Sequence, residues 1–210
     1  MGTIAEYEDL IKLIPVGKQS TRIRKDVWKR FLSINDIVDV IFENKEIVEI
    51  SRTDVLAENN LKKKIIMTLM WGYPTGGRGN NIAEILKSID KLVDMLSAVN
   101  GKNLTKIEAC STIAEFESIR GLSTSTWSKF LYFFNVSIES KECQIYDLKI
   151  VESLNKKQFS ELGSNKWKQS IEHYYLFIEL LSNLATSMDV LPEQIELFLF
   201  YFNLYYKFAE

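Results

Sequence analysis

The sequence is poor in helix-breaking residues, with three prolines and nine glycines among 210 residues. Long helices are therefore the first expectation. One histidine and two cysteines without CxxC spacing argue against a metal site or a disulfide scaffold. No run approaches the ~18 apolar residues of a membrane helix, and the first residues lack the features of a signal peptide. We therefore expect a cytoplasmic protein without membrane contact, in which Cys110 and Cys143 are free buried thiols.

The chain also lacks an excess of basic charge. Its 26 Lys and Arg residues face 28 Asp and Glu residues, which gives a formal net charge of -2. This balance argues mildly against a nucleic-acid-binding protein. With 46% apolar residues the chain can bury a sizeable core. We expect residues 1–210 to form a single helical unit, which can divide into two lobes with a cleft between them.

Apolar residues recur at helical spacing along most of the chain. No alternating strand pattern longer than about five residues stands out, so the sequence predicts an all-α fold. The segments with helical spacing include residues 26–42, 61–69, 82–96, 166–184 and 193–208. An extended piece is expected only within residues 136–146, and loops are expected at residues 15–24, 72–80 and 155–165.

Residues 118–127, which we call the hairpin, lie between two helical patterns. Gly121 is placed to end the first helix in a left-handed conformation, and Ser123 or Thr124 is placed to cap the second. The backbone N–H groups of such a turn can bind a phosphate without any basic side chain. A plain helix–helix connection is the alternative interpretation.

Four of the nine glycines fall within residues 72–80, which we call the glycine-rich loop. The loop lacks the Gly-Lys-Ser/Thr ending of a phosphate-binding P-loop. Loops held by rigid helices often carry function, and Arg78 is placed to reach a phosphate or a base edge.

Asp147 stands at the predicted start of a short helix. An Asp there can simply cap the helix. At the edge of a pocket, its carboxylate can instead activate water or stabilise developing positive charge.

In this order, three segments resemble the helix-hairpin-helix DNA glycosylase superfamily, especially the 8-oxoguanine DNA glycosylases and their short bacterial look-alikes. Gly121-Leu122-Ser123 with Thr126 is similar to the family hairpin. Asp147 follows about twenty-odd residues later, as the family's catalytic Asp does. The segment 79–83 resembles the asparagine-rich loop that enters DNA beside the extruded base. The resemblance covers roughly residues 60–200.

The resemblance implies an enzyme that flips a damaged or modified base, such as the purine 8-oxoguanine, out of double-stranded DNA and excises it without a metal or other cofactor. It implies a monomer associated with the nucleoid. The implied residues are Asp147 for catalysis, Gly121, Leu122, Ser123, Thr124, Ser125, Thr126, Arg78, Asn80 and Asn81 for DNA binding, and Trp71 and Phe200 for the base pocket.

The hairpin departs from the family at its nucleophilic lysine, whose place here is taken by about Ser125. Lys129 lies one helical turn further on and is either a displaced nucleophile or a surface lysine. Hydrolysis by a water that Asp147 activates is therefore expected. The alternatives are a non-catalytic or antiphage-defence protein that binds modified DNA, and a helical protein-interaction domain.

Overall fold

The computed structural model describes the backbone of residues 2–206 and the side chains of residues 2–202. Helices dominate this part of the chain, which confirms the predicted fold class. The α-helices are α1 (Glu8–Lys12), α2 (Lys25–Lys29), α3 (Asn35–Phe42), α4 (Arg52–Ala57), α5 (Leu61–Gly72), α6 (Asn81–Lys87), α7 (Ile89–Val99), α8 (Lys106–Glu117), α9 (Thr124–Phe133), α10 (Leu148–Asn155), α11 (Ile171–Met188) and α12 (Pro192–Tyr206). The strands are β1 (Ser20–Arg24), β2 (Ile47–Ser51), β3 (Asn103–Leu104), β4 (Ser137–Ile138) and β5 (Lys141–Glu142).

No strand was predicted near the N-terminus, and this was wrong. Strands β1 and β2 form an antiparallel pair, with Ser20 opposite Ser51 and Arg24 opposite Ile47. Only Ile23 and Ile50 of the pair are buried. A short ribbon with one buried residue per strand leaves almost no alternating pattern in the sequence. The extended piece expected at 136–146 is confirmed by β4 and β5, which pair antiparallel while β3 runs parallel to β4.

Other differences concern where the helices break. The stripe over residues 26–42 is divided between α2 and α3, and the stripe over 82–96 is divided at Ser88. Helical spacing continues across both breaks because the flanking apolar residues still face one core. The predicted helix 166–184 begins later, at Ile171, where Ser170 accepts a hydrogen bond from the His173 N–H. Cys143 is buried as expected, but Cys110 is exposed, so its predicted burial was wrong.

Capping side chains fix several helix starts. Ser51 and Asp54 form a reciprocal capping box at the start of α4, and Thr105 and Glu108 form another at α8. Helix α12 begins at Pro192, one residue before the predicted segment 193–208, because proline is suited to a first helical turn.

Helices α5 and α9 pack against each other through the core. Every residue from Lys64 to Trp71 of α5 is buried, as is every residue from Thr126 to Phe133 of α9. A helix that is enclosed on all sides takes its polar residues inside with it. The charged residues Lys64 and Lys129 are therefore interior groups. None of the described helices is long and apolar enough to cross a membrane.

Candidate active site

A cleft with a cavity of about 420 Å³ lies where three segments meet. One wall is the glycine-rich loop with the start of α6, the second is the hairpin, and the third is the start of α10. The lining residues include Tyr73, Arg78, Asn81, Gly121, Ser123, Ser125, Thr126, Leu148 and Gln169. The fold thus brings together residues as far apart in the sequence as Gly72 and Gln169.

The hairpin and the start of α6 touch through Gly121. This glycine has a φ of 88°, and a Cβ added there would lie 2.6 Å from the carbonyl oxygen of Asn81. The position therefore requires glycine both for its backbone conformation and for the close approach. This contact places Asn81 beside the hairpin at the edge of the cleft.

The start of α9 is open towards the cleft. Ser123 is the N-cap residue, as one of the two alternatives predicted, but its side chain makes no capping hydrogen bond. The Ser123 hydroxyl lies 3.4 Å from the Thr126 hydroxyl, which in turn bonds to the Tyr73 hydroxyl at 2.6 Å. The first N–H groups of a helix have no intrahelical partner. The start of α9 therefore offers donors to an anion in the cleft.

Lys129 is an interior residue behind the cleft wall, so its interpretation as a surface lysine was wrong. Its side chain is 5% exposed, and its ammonium donates to the backbone carbonyl of Ser125 at 2.8 Å and to the Ser125 hydroxyl at 3.0 Å. The alkyl chain of Lys129 lies against Gly72, where an added Cβ would be 2.9 Å from Cδ. Gly72 therefore leaves the room in which this lysine lies.

Asp147 meets Lys129 at the same place. Its Oδ2 lies 3.8 Å from Lys129 Nζ, and its side chain is 19% exposed. Its Oδ1 accepts hydrogen bonds from the N–H groups of Lys149 and Ile150, so Asp147 also caps α10. The cap fixes the orientation of the carboxylate and leaves one oxygen directed towards the amine.

The glycine-rich loop has an unusual backbone, as its composition predicts. Gly76, Gly77 and Gly79 all have positive φ. Arg30 donates a hydrogen bond to the Gly76 carbonyl at 3.0 Å, and its guanidinium occupies the space that a Cβ at Gly76 would need. The loop presents the exposed side chain of Arg78 to the cleft.

Some residues predicted for the site do not line this cavity. Leu122 and Thr124 are buried within the hairpin, and Asn80 is exposed beside Asn81. Trp71 is buried behind the cleft, and Phe200 is half-buried with the ammonium of Lys149 4.8 Å from its ring centre. The base-pocket roles of Trp71 and Phe200 stay predictions.

A second ion pair, between Arg52 and Glu196, lies buried in the core and was not predicted from the sequence. The two residues are 144 positions apart and are joined at 2.7 Å with both side chains 1% exposed. Its one available signal is a glutamate inside the aromatic segment 195–202, where a charge is otherwise out of place.

Comparison with known families matches residues 14–200 to the family described as "Putative 8-oxoguanine DNA glycosylase OGG-like protein". No curated protein and no solved structure matches the chain significantly. The matched range includes all three walls of the cleft, the Lys129–Asp147 pair and the Arg52–Glu196 pair. The chain therefore belongs to this OGG-like glycosylase family.

Proposed function

We propose that the protein is a DNA glycosylase that extrudes a modified purine such as 8-oxoguanine from duplex DNA and releases the base. The observation that carries the proposal is the pair of Lys129 and Asp147, 3.8 Å apart behind the cleft wall. An amine held beside a carboxylate provides a nucleophile and a group that stabilises positive charge at a sugar C1′. Membership of the OGG-like family supports the same activity.

In this proposal residues 1–210 act as one monomeric unit, and the cleft receives the DNA. The N–H groups at the start of α9 hold a backbone phosphate, a contact that needs no basic side chain. Arg78, Asn80 and Asn81 enter the space that the extruded base vacates. This arrangement explains how a chain of net charge -2 can bind DNA.

The chemistry takes place at C1′ of the extruded nucleotide. Lys129 loses a proton, and its lone pair forms a bond to C1′ while the N-glycosidic bond breaks. The bonding electrons leave with the base, which is protonated as it departs. Asp147 accepts the lysine proton, passes it to the departing base, and as a carboxylate stabilises the positive charge that develops on the sugar. The sugar ring then opens as a proton of the newly bonded nitrogen moves to the ring oxygen, which gives an imine between Lys129 and C1′.

The burial of Lys129 is the reason to prefer this route over hydrolysis by an Asp-activated water. The amine is already bound to Ser125 and positioned beside the carboxylate. Both routes release the base, but only the lysine route produces an imine that borohydride reduces to a stable adduct.

A panel of duplexes with single modified bases tests the proposal through abasic-site formation. We expect release from an 8-oxoguanine duplex and a borohydride-trapped adduct. Asp147→Asn should abolish release while binding is retained, because Asn still caps α10. Asp94→Asn on the exposed face of α7 is the matched control. Failure to release any base from the panel would reject the enzyme, and DNA binding without release would favour the non-catalytic DNA-binding protein.

A further inference from the structure

The guanidinium of Arg52 lies in a polar slot between aromatic rings. It is 5.4 Å from the ring centre of Trp71 and 5.0 Å from that of Tyr132. Nε donates to the Gln19 side-chain oxygen at 2.6 Å, and Nη2 donates to the Glu196 carboxylate at 2.7 Å. The Arg52 guanidinium is thus a flat group that donates hydrogen bonds from its edge and lies near aromatic rings. A nucleic-acid base has the same general features.

This slot is linked to the Lys129–Asp147 pair through Trp71. Trp71 precedes Gly72, against which Lys129 packs, and the Trp71 ring makes an edge contact with Phe133, one turn beyond Lys129 on α9. Burial raises the pKa of Glu196 to about 7, and the charges of Asp147 and Lys129 also act on it. The slot is therefore next to the point at which an extruded nucleotide would present its C1′.

Arg52 is incompletely satisfied in this position. Its Nη1 is buried and makes no hydrogen bond of normal geometry with any described residue, although the Tyr132 hydroxyl lies near enough to interact electrostatically. A buried donor without a partner is destabilising. The guanidinium therefore gains less from its enclosure than a fully paired one would.

We propose that Arg52 fills the base pocket of the DNA-free protein and that the extruded base displaces it. The inference rests on the proposed function, because it assigns the occupant of that same site. With Arg52 withdrawn, the Trp71 face is free for stacking, and Glu196 and Gln19 are free to accept hydrogen bonds from the base.

The chemistry of the slot selects the base. A guanine-type edge carries two adjacent donors, N1–H and the N2 amino group, which can replace Nη2 on Glu196 and Nε on Gln19. Adenine and cytosine place an acceptor beside their amino donor, and thymine flanks its single N–H with acceptors. These edges would leave the Glu196 carboxylate incompletely paired in a buried site, which is unfavourable. The slot therefore takes guanine and its oxidised derivatives.

The direct test follows the Arg52 Nε–H signal of the wild-type protein by NMR. The probe is a duplex with a 2′-fluorinated 8-oxoguanine nucleotide, which resists cleavage, and an undamaged duplex is the control. We expect the slot signal of the free protein to disappear or shift with the lesion duplex alone. A signal that persists unchanged in the lesion complex would overturn the proposal.

Substitution provides the second test. Arg52→Lys keeps a positive charge opposite Glu196 but cannot place two coplanar donors on Gln19 and Glu196, so we expect lesion-duplex affinity to rise roughly 3- to 10-fold with unchanged affinity for undamaged DNA. Arg24→Lys, at an exposed arginine, is the control. Weaker or unchanged lesion binding by a folded Arg52→Lys protein would contradict displacement.

The two proposals fail separately. If the wild-type protein excises 8-oxoguanine while the Arg52 signal stays in place, the displacement is rejected and the glycosylase stands. If no duplex loses a base but 8-oxoguanosine nucleoside shifts the Arg52 signal and adenosine does not, the glycosylase is rejected and the displacement stands.

Discussion

Two buried cation–carboxylate pairs lie side by side in this protein and differ in how completely they are paired. Arg52 and Glu196 are 2.7 Å apart with both side chains 1% exposed. Lys129 and Asp147 are 3.8 Å apart, and Asp147 remains 19% exposed and also caps α10. The Arg52–Glu196 pair is closed to solvent, whereas the Lys129–Asp147 pair keeps part of its carboxylate accessible. The two proposals give the chemistry to the looser pair, through Lys129, and the recognition of the base to the tighter pair, through Glu196.

We expect the largest effect on activity when the amine of the Lys129–Asp147 pair is removed. We expect Lys129→Gln to lower base release by on the order of 10³-fold or more and to eliminate the borohydride-trapped adduct, while the fold is kept. Single-turnover release from an 8-oxoguanine duplex measures the effect. Lys102→Gln, at an exposed lysine, should behave as the wild type. Normal release by Lys129→Gln would assign the chemistry to water instead.

The tight pair should dominate stability instead. Arg52→Met leaves the Glu196 carboxylate buried without its partner, and we expect the free energy of unfolding to fall by about 3–5 kcal/mol. The double variant Arg52→Met with Glu196→Leu should recover most of the loss, since neither charge remains. Urea denaturation measures both. A double variant as unstable as the single one would contradict the importance of the pairing.

The pH dependence of stability separates the pairs further. Burial raises the pKa of Glu196 from 4.5 to about 7, so the folded protein holds a proton that the unfolded chain has lost. This contribution to stability is fully present below pH 4.5 and is lost as the pH rises towards about 7. We expect Glu196→Gln to remove roughly 2–3 kcal/mol of this decline, measured by denaturation from pH 4.5 to 8. An identical slope in the variant would refute the assignment.

The smallest expected effects come from substitutions at two glycines with positive φ, Gly101 and Gly121, of which only Gly121 lies at the cleft. Gly101→Ala should lose only about 1 kcal/mol of stability from backbone strain, because nothing lies within 4 Å of its new Cβ. Gly121→Ala adds the contact with the Asn81 carbonyl, so it should lose more and also weaken DNA binding. Thermal melts and fluorescence anisotropy measure the two effects. Equal behaviour of the two variants would deny the hairpin contact a role.

Local sequence patterns predicted much of the fold. The helical stripes, the start of α12 at Pro192 and the conformation of Gly121 all follow from spacing and local backbone preference. The strands β1 and β2 were not predicted because they are distant from each other in the sequence and only Ile23 and Ile50 are buried. Breaks inside continuous apolar stripes escaped for a similar reason, because spacing alone does not reveal a turn.

Some residues of the candidate site were also predicted from the sequence, and others were placed only by the folded structure. Asp147 and the hairpin were predicted for the site from order and spacing, and their roles stay predictions. The sequence left Lys129 open between a nucleophile and a surface residue. Its place was decided by α9, which is enclosed by the core and carries the lysine inside. The Arg52 slot depends on four segments that meet only in the folded chain, around Gln19, Arg52, Trp71 and Glu196.

The sequence by itself determined that the chain is helical, where most helices lie, and which family hairpin it resembles. These properties depend on near neighbours, through helical spacing, capping and the freedom of glycine. The tertiary structure decided which charges are buried and what they face. A pKa, an ion pair and a stacking slot depend on distances between residues far apart in the chain, and only packing of the core sets those distances.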